Sequence, residues 1–371
     1  MIFAEELIKS IFKKKINFFT GVPDSILKPL SEILQKKNKK SHIIATNEGS
    51  AIALGIGYYL STKKIPCIYL QNSGLGNAIN PLISVAHRKV YSIPMILLIG
   101  WRGSPNVKDE PQHKVKGAIT KKLLKLLDIK YCLLKNKDDL KKLNKIIEVS
   151  KKSKKPVACL IEKNNLINQQ NIKKEKKNRR NLKREEVIKN LLQNIKNKTN
   201  IISTTGFTSR ELIQIRTVKN YKKGNDFYMV GGMGHSTMVT LGISLFSNKQ
   251  TICLDGDGSM LMHLGSLSTA GLYAAKNFKH ILLNNNSHES VGGQPTNADL
   301  INFKKLSKSL NYKKFFIIKN KKELNKKIKN FIKSNGPSFL EVKIKNGSMS
   351  NLMRPKPGSL KKIVKNFMIN V

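Results

Sequence analysis

Short apolar runs alternate with longer amphipathic stretches along the whole chain. Runs that predict strands lie near 17–19, 42–45, 66–70, 94–99, 130–134 and 157–161 in the first half, and near 200–203, 227–230, 251–254, 280–283, 314–318 and 338–343 in the second. Between them, stretches such as 4–15, 48–61 and 75–88 have the periodicity of helices. Because strands that alternate with helices form parallel sheets covered on both faces, the pattern predicts an α/β fold.

The same plan occurs twice, with one interruption. Residues 163–184 are rich in Lys, Asn and Gln and poor in apolar side chains, which is typical of a solvated linker. At 371 residues the chain is long enough for two domains, each with its own core. We therefore predict a doubly wound parallel-sheet domain over 1–164, a linker over 165–184 and a second doubly wound domain over 185–371.

The charge of the chain raises the question of nucleic-acid binding. Lys and Arg total 69 against 23 acidic residues, a formal net charge of +46. Lysine is spread over the polar side of almost every predicted helix, arginine is scarce, and no helix-turn-helix, zinc finger or aromatic RNA-binding segment occurs. This pattern indicates a composition bias, so we expect no specific nucleic-acid partner and keep a basic nucleic-acid-binding protein as the non-enzyme alternative.

Other classes are disfavoured by simpler features. No segment approaches the roughly 20 apolar residues of a membrane span, and the N-terminus has early acids where a secretory signal has basic residues. Cys67, Cys132, Cys159 and Cys253 each lie singly in apolar runs, which favours buried small side chains over metal or disulfide sites. These features predict a cytoplasmic protein without a membrane partner.

Polar residues follow two neighbouring strands of the second half. Gly256-Asp257-Gly258-Ser259 follows one strand and Asn284-Asn285 ends the next, with Asp257 and Asn285 separated by 285 − 257 = 28 residues. One crossover helix and one returning strand fill such a separation, so both side chains should lie at the carboxyl edge of the sheet, where ligands bind. The Asp257 carboxylate, the Asn285 amide oxygen and the backbone carbonyl of Ser287 are hard ligands that suit Mg²⁺. An ordinary Asp-Gly turn is the structural alternative.

This combination resembles the cofactor motif of thiamine diphosphate-dependent enzymes, and further stretches resemble the phosphonopyruvate decarboxylase family of that superfamily. The resemblance runs nearly end to end, and its supporting stretches are 20–25, 71–77, 101–113, 203–210 and 290–295. Asp109-Glu110-Pro111-Gln112-His113 and Val291-Gly292-Gly293-Gln294-Pro295 discriminate best. One departure is Asn286-Ser287, where a glycine and a small residue are expected, which leaves the geometry of that loop open.

The resemblance implies that thiamine diphosphate and Mg²⁺ are the cofactors. It assigns Glu48 to the N1′ side of the aminopyrimidine, Gly231 and Gly232 to backbone contacts there, and Met233 to the apolar wedge under the bent cofactor. The diphosphate and its metal would be held by Ser203, Thr204, Thr205, Gly206, Gly256, Asp257, Gly258, Ser259, Asn285 and Ser287. From the residues alone, Glu48 could also be a helix-start glutamate and Ser203–Thr205 an ordinary helix cap.

The implied reaction is decarboxylation of 3-phosphonopyruvate to phosphonoacetaldehyde and CO₂, a carboxy-lyase step of phosphonate biosynthesis. Asp24 and Ser25 would contact the substrate carboxylate, with a helix cap as their alternative. A dianionic phosphonate would bind Arg102, Lys108 and His113, although Lys108 is individually weak evidence in so lysine-rich a chain. His288 could relay a proton, and we count Glu48, His113 and His288 as the catalytic candidates, with a structural polar contact as the alternative for His288.

The resemblance also implies a homodimer or higher homo-oligomer whose active sites lie between subunits. Larger thiamine enzymes such as the acetolactate synthases insert a further domain where this chain has its predicted linker, which argues against that branch and against a flavin. A sulfopyruvate decarboxylase is the nearest alternative, and a pyruvate carboligase is a more distant one.

Overall fold

The computed structural model describes residues 1–38, 40–105, 107, 109–169, 180–219, 221–353 and 359–371, and the chain forms two compact units, Met1–Lys174 and Glu175–Val371. Residues 170–179 of the predicted linker lie outside the described residues. Its two ends are packed rather than solvated, because Leu166–Ile167 forms a strand and Leu182 is fully buried in the core of the second unit. The predicted domain boundaries remain predictions.

The first unit is built around a six-stranded, fully parallel sheet in the order β3-β2-β4-β5-β7-β6. Its strands are β2 Phe19–Gly21, β3 His42–Ile44, β4 Cys67–Gln71, β5 Ile96–Gly100, β6 Lys130–Leu134 and β7 Val157–Ile161, and a separate parallel pair consists of β1 Ile2–Phe3 and β8 Leu166–Ile167. Its helices are α1 Ala4–Lys13, α2 Lys28–Leu34, α3 Glu48–Thr62, α4 Leu75–Pro81, α5 Pro111–Leu126 and α6 Leu140–Ser153. Two apolar clusters bury the sheet, one beneath α1, α2 and α6 and the other beneath α3, α4 and α5.

The second unit has its own six-stranded parallel sheet, in the order β10-β9-β11-β12-β14-β13. Its strands are β9 Asn200–Ser203, β10 Asn225–Tyr228, β11 Thr251–Gly256, β12 Phe278–Asn284, β13 Lys314–Ile318 and β14 Ser338–Lys343. Its helices are α7 Arg184–Asn194, α8 Phe207–Lys219, α9 Ser236–Phe246, α10 Asp257–Met262, α11 Ser266–Tyr273, α12 Phe303–Ser309, α13 Lys321–Lys333 and α14 Ser359–Ile369.

Both sheets have one topology. If the six strands of each unit are numbered along the chain, both sheets have the order 2-1-3-4-6-5. The predicted α/β class with two doubly wound parallel sheets is therefore confirmed. In such sheets a crevice opens where the order of the strands reverses, here between the carboxyl ends of β2 and β4 and of β9 and β11. None of the helices in the described part of the chain combines the length and apolar character that a bilayer span requires.

Two of the four cysteines are neighbours in the fold although they are far apart in sequence. Cys67, Cys159 and Cys253 are buried, as predicted, whereas Cys132 is half-buried. Cys132 lies directly opposite Cys159 in the β6–β7 register, with 3.5 Å between the two sulfurs, and all four are free thiols. Strand register brought this pair together, and the spacing along the chain did not reveal it.

Candidate active site

A polar pocket lies at the carboxyl edge of the sheet in the second unit. It is formed by residues that follow β9, β11 and β12, together with the start of α7 and the turn before α9. The lining residues are Arg184, Thr204, Thr205, Phe207, Thr208, Met233, Gly256, Asp257, Gly258, Ser259, Leu283, Asn285, Ser287, His288, Glu289, Ser290 and Val291. Most of the residues that the sequence assigned to the cofactor therefore lie around one cavity.

Asp257 and Asn285 meet at this pocket. Asp257 is the first residue of α10, Asn285 directly follows β12, and both are almost fully buried. The backbone nitrogen of Ser287 lies 3.1 Å from both Asp257 Oδ2 and Asn285 Oδ1, so the two oxygens converge on one N–H group. Thr296 Oγ1 donates to the same Asp257 oxygen at 2.5 Å. Burial raises the pKa of Asp257 to about 6.

The loop after Asn285 shows how an asparagine can occupy position 286, where the family pattern has a glycine. Asn286 has φ +57°, in the left-handed region where glycine is usual. Asparagine is the side chain that best tolerates this conformation, because its short amide can bond to the nearby backbone. Asn286 therefore turns the chain as a glycine would, and the Ser287 amide reaches Asp257.

The residues present fit a metal-bound diphosphate. Gly256 has open space beside it, since a Cβ atom there would meet no atom within 4 Å, so a phosphate could approach the backbone closely. Ser287 Oγ is buried and has no hydrogen-bond partner in the described part of the chain. With the converging Asp257 and Asn285 oxygens, this is a donor set of hard oxygens, which suits Mg²⁺ better than a soft metal.

Only some residues of the turn after β9 line the pocket. Thr204 Oγ1 lies 2.7 Å from Ser259 Oγ, which also accepts from the Gly234 N–H at 3.1 Å, so the turns after β9, β11 and β10 are linked. Thr204 and Thr205 line the pocket near the N-terminus of α8, which favours an anion. By contrast, Ser203 is fully buried with its hydroxyl 2.8 Å from Ser209 Oγ, and it is not among the residues that line the pocket.

The glycine-rich turn before α9 brings one of its residues to the pocket. Met233 lines the cavity, whereas Gly231, Gly232 and Gly206 are not among the lining residues. Gly232 has φ +64°, which a residue with a side chain rarely adopts. Met233 is therefore the part of this turn that could touch a ligand through its side chain.

His288 lines the pocket beside Gly258. Its ring is so close that a Cβ atom on Gly258 would lie 2.7 Å from His288 Nδ1. Burial lowers the pKa of His288 to about 4, so the imidazole is neutral at physiological pH. A neutral ring can still donate and accept a proton, and the relay role of His288 stays a prediction.

Glu48 is the first residue of α3 in the first unit and is almost fully buried. Asn77 Nδ2 donates to Glu48 Oε2 at 2.8 Å, while Gly74 makes room for the other oxygen, because a Cβ atom at Gly74 would lie 2.1 Å from Glu48 Oε1. Burial raises the pKa of Glu48, and the Asn77 hydrogen bond and the charge of Lys116 oppose this rise. The capping role of this helix belongs to Asn47, whose side chain accepts from the Ser50 N–H at 2.8 Å.

The contacts of Asp24 lie in the turn after β2 and do not cap α2, whose N-cap residue is Leu27. Asp24 is fully buried, and its Oδ2 accepts from the backbone N–H groups of Ile26 and Leu27 at 2.9 and 3.0 Å. Gln71 Nε2 donates to Asp24 Oδ1 at 2.5 Å. Both oxygens therefore stabilise the turn after β2, while Ser25 is exposed and accepts from Arg102 Nη1 at 3.2 Å.

Arg102 is bound to a carboxylate of its own loop. Its Nε and Nη2 donate to Asp109 Oδ2 and Oδ1 at 2.6 and 2.5 Å, a bidentate pair. Burial raises the pKa of Asp109, but the hydrogen bonds from Arg102 and from the Glu110 N–H, together with the charge of Arg102, hold that pKa well below its usual range. The guanidinium charge is thus largely balanced, and a substrate anion would compete with Asp109. Lys108, the second predicted anion ligand, lies outside the described residues.

The surroundings of His113 disfavour a positive charge on its imidazole. Burial lowers its pKa to about 4, and the charge of Arg102 acts in the same direction. His113 Nδ1 is buried without a hydrogen-bond partner among the described residues, and Nε2 lies 3.9 Å from Glu110 Oε2. A neutral imidazole can donate one hydrogen bond to a substrate but supplies no charge.

Lys116 is the residue that sequence reasoning missed. It lies on α5 one turn after His113 and is half-buried. Burial lowers the pKa of Lys116, and the charge of Glu48 raises it. Within the described ranges, Lys116 has no carboxylate ion pair. Among so many lysines its identity carried no signal. Its spacing of three residues from His113 was the one feature that could have indicated a shared helix face.

Comparisons with known proteins agree with this geometry. A family model described as "Thiamine pyrophosphate enzyme, N-terminal TPP binding domain" matches residues 1–124, and one described as "Thiamine pyrophosphate enzyme, C-terminal TPP binding domain" matches residues 205–342. The two sheets and the pocket thus define the class of thiamine diphosphate-dependent enzymes.

Three curated relatives refine the class. The phosphonopyruvate decarboxylase of Streptomyces viridochromogenes is 31% identical over 374 residues, covering 96% of this chain and 92% of the relative. That of Streptomyces hygroscopicus is 30% identical over 96% of this chain and 91% of the relative. The sulfopyruvate decarboxylase of Methanosarcina acetivorans is 27% identical over 79% of this chain and 78% of the relative. The chain belongs to the phosphonopyruvate decarboxylase family of thiamine diphosphate-dependent enzymes, and it is a carboxy-lyase that acts on a keto acid.

Proposed function

We propose that the protein decarboxylates 3-phosphonopyruvate to phosphonoacetaldehyde and CO₂ with thiamine diphosphate and Mg²⁺, a step of phosphonate biosynthesis. The observation that carries this proposal is the similarity to two phosphonopyruvate decarboxylases over 96% of the chain. Similarity to the sulfopyruvate decarboxylase covers less of the chain, 79%, at 27% identity. Sulfopyruvate is therefore the second candidate substrate.

The cofactor and the protein would divide the chemistry. Thiamine diphosphate, when bound, supplies a thiazolium ring that accepts the electrons released as CO₂ leaves. Asp257, Asn285 and the Ser287 carbonyl would hold the metal that bridges its diphosphate. Glu48 would exchange a proton with the basic ring nitrogen N1′, and burial, which raises the pKa of Glu48, favours its protonated form.

Besides its carboxylate, the proposed keto acid carries a phosphonate, or in the second candidate a sulfonate, and this second anionic group needs a cationic binding site. Lys116 is the best-supported candidate, because it is half-buried, has no ion pair within the described residues and lies one turn from His113. Arg102 is a weaker candidate, since Asp109 already holds two of its N–H groups. A cation in a partly desolvated site binds a dianion with charge-assisted hydrogen bonds.

We further propose a homo-oligomer of at least two chains, in which Glu48 of one copy and Asp257 of another serve the same cofactor. The test is to mix two inactive variants, Glu48→Gln and Asp257→Ala, after dissociation and reassociation. A mixed dimer would contain one site with both changes and one with neither, so activity should return to part of the wild-type value. Mixed chains that assemble but stay inactive would contradict a shared site.

The substrate is tested by steady-state assays of the purified protein with phosphonopyruvate, sulfopyruvate and pyruvate in the presence of both cofactors. We expect the highest kcat/KM with phosphonopyruvate. A higher value with sulfopyruvate would transfer the assignment to the second candidate, and activity with pyruvate alone would contradict both.

A further inference from the structure

The loop after β12 carries a carboxylate beside Asn285. Glu289 Oε2 accepts a hydrogen bond from Asn285 Nδ2 at 3.0 Å, and Glu289 Oε1 accepts one from the Gly347 N–H. An ionised carboxylate only accepts hydrogen bonds, so the nitrogen of the Asn285 amide has to face it. The other end of the amide, Oδ1, lies 3.1 Å from the Ser287 nitrogen, on the side of Asp257.

Glu289 is itself held by a buried arginine. Arg184, the first residue of α7, donates from Nη2 to Glu289 Oε2 at 2.6 Å and from Nη1 to Glu211 Oε1 at 3.0 Å. The side chains of Arg184 and Glu211 are only 5% and 1% exposed, and the Arg184 guanidinium lies 5.8 Å from the centre of the Phe207 ring. In such a low-polarity environment an ion pair with good geometry resists rearrangement.

We propose that Glu289, held by Arg184, is a positioning residue that orients the Asn285 amide so that Oδ1 rather than Nδ2 faces the metal. The inference rests on the proposed function, since it takes Asp257 and Asn285 as metal ligands. The terminal torsion of an asparagine is broad and roughly two-fold, so an unanchored amide samples both orientations. Only one of them presents an oxygen to a cation, because the amide nitrogen donates and cannot ligate.

The test compares Glu289→Ala with Glu289→Gln. Alanine removes the acceptor for Asn285 Nδ2, whereas glutamine keeps one acceptor oxygen at that position. Mg²⁺ is titrated calorimetrically into metal-stripped protein with excess thiamine diphosphate. Loss of a partner that orients a ligand costs roughly 10- to 100-fold in metal affinity, which we expect for Glu289→Ala, with a change of only a few-fold for Glu289→Gln. At saturating Mg²⁺, kcat should fall much less than the metal affinity.

A matched control comes from the same unit. Arg216 and Asp226 form a similar partly buried pair, with N–O distances of 2.7 and 2.6 Å, and neither residue lines the pocket. Asp226→Ala should lower the melting temperature of the metal-free protein but leave the Mg²⁺ affinity unchanged. If Asp226→Ala weakens Mg²⁺ binding as much as Glu289→Ala, the effect reports general destabilisation and the inference is wrong.

Asp257→Ala separates this inference from the proposed metal site. Wild-type Mg²⁺ affinity in Glu289→Ala, together with loss of binding in Asp257→Ala, would overturn the role of Glu289 alone. Wild-type affinity in both would overturn the metal site itself. Equal weakening by alanine and glutamine would mean that charge rather than amide orientation matters, which also overturns the inference. If Glu289→Ala does not fold, Glu289→Asp withdraws the carboxylate by one methylene, and unchanged Mg²⁺ affinity in that variant would overturn it.

Discussion

The two units have the same strand order but carry different chemistry at the same edge of the sheet. In the second unit the third and fourth strands run into Asp257 and Asn285, whose oxygens converge beside an open glycine backbone. In the first unit the corresponding strands run into Gln71 and Arg102, whose polar groups are already bonded to Asp24 and Asp109. The topology thus determines where a ligand can bind, and the residues after each strand determine what the site can hold.

The comparison also separates two uses of burial. In the second unit, burying the Asp257 and Asn285 oxygens is costly, and a bound cation, as proposed above, would offset that cost. In the first unit, burial raises the pKa of Glu48 and lowers the pKa of Lys116, so it favours the neutral form of each side chain. We therefore expect changes in the first unit to act on proton transfer and substrate choice, and changes in the second to act on cofactor retention.

The largest effect is expected for Glu48→Gln. An amide cannot exchange a proton with a ring nitrogen, and loss of a general acid–base group costs roughly 10²- to 10⁴-fold in rate. Steady-state decarboxylation, with circular dichroism to confirm folding, measures it. Glu148→Gln, which alters surface ion pairs with Lys14 and Lys151, is the control and should be active. Near-wild-type turnover in folded Glu48→Gln would remove Glu48 from the mechanism.

Asp257→Ala should affect the second unit in a different way. We expect thiamine diphosphate and Mg²⁺ binding to weaken together, by more than the roughly 10- to 100-fold that loss of an outer-shell partner costs. Calorimetric titration of the apo-protein with the cofactor, with and without Mg²⁺, measures this. Glu323→Gln, which alters a partly exposed pair with Lys327 on α13, should bind both normally. Unchanged affinity in Asp257→Ala would make the Gly-Asp-Gly turn purely structural.

Lys116→Ala tests whether the first unit selects the substrate. One hydrogen bond to a charged group contributes about 1.5–3 kcal/mol, so kcat/KM for phosphonopyruvate should fall roughly 10- to 100-fold more than that for pyruvate. Lys122→Ala, an exposed change on the same helix, should leave both values unchanged. Equal losses on the two keto acids would assign Lys116 to the Glu48 environment instead.

The smallest expected effect is on acid stability, and each unit supplies one reporter. Burial lowers the pKa of His42 to about 4 and that of His280 to about 3, below the ordinary 6.5. Below pH 6.5 the unfolded chain therefore binds more protons than the folded protein does. The stabilisation that each histidine contributes is complete above pH 6.5 and is lost as the pH falls towards the folded-state pKa. Acidification from about pH 7.5 to 5.5 should lower the free energy of unfolding by about 1 kcal/mol for each of the two histidines.

Urea unfolding of His42→Gln and His280→Gln at these two pH values measures the contribution. Each variant should lose less stability on acidification than the wild-type protein does. A pH dependence identical to that of the wild type would show that the histidine is protonated equally in the folded and unfolded states.

The sequence alone determined the alternation of strands and helices, and with it the class of fold. All twelve strands of the two large sheets lie at or within two residues of the predicted runs, because the apolar runs that are buried on both faces of a parallel sheet are local features of sequence. The two short strands β1 and β8 were not predicted, since two residues have no periodicity. Asp257 and Asn285 could be paired from sequence because one crossover unit has a nearly fixed length.

Only the tertiary structure decided which side chains contact one another. Asp109 meets Arg102, and Glu289 meets Asn285, within a single loop in each case, through the path that the loop takes. The contacts of Glu289 with Arg184 and of Cys132 with Cys159 join segments that are far apart in sequence. Residues of one type also differ in burial, because Lys116 is half-buried near Glu48 whereas most lysines are solvated. Desolvation and ion pairing depend on what surrounds a side chain in space, which residue identity and spacing along the chain do not specify.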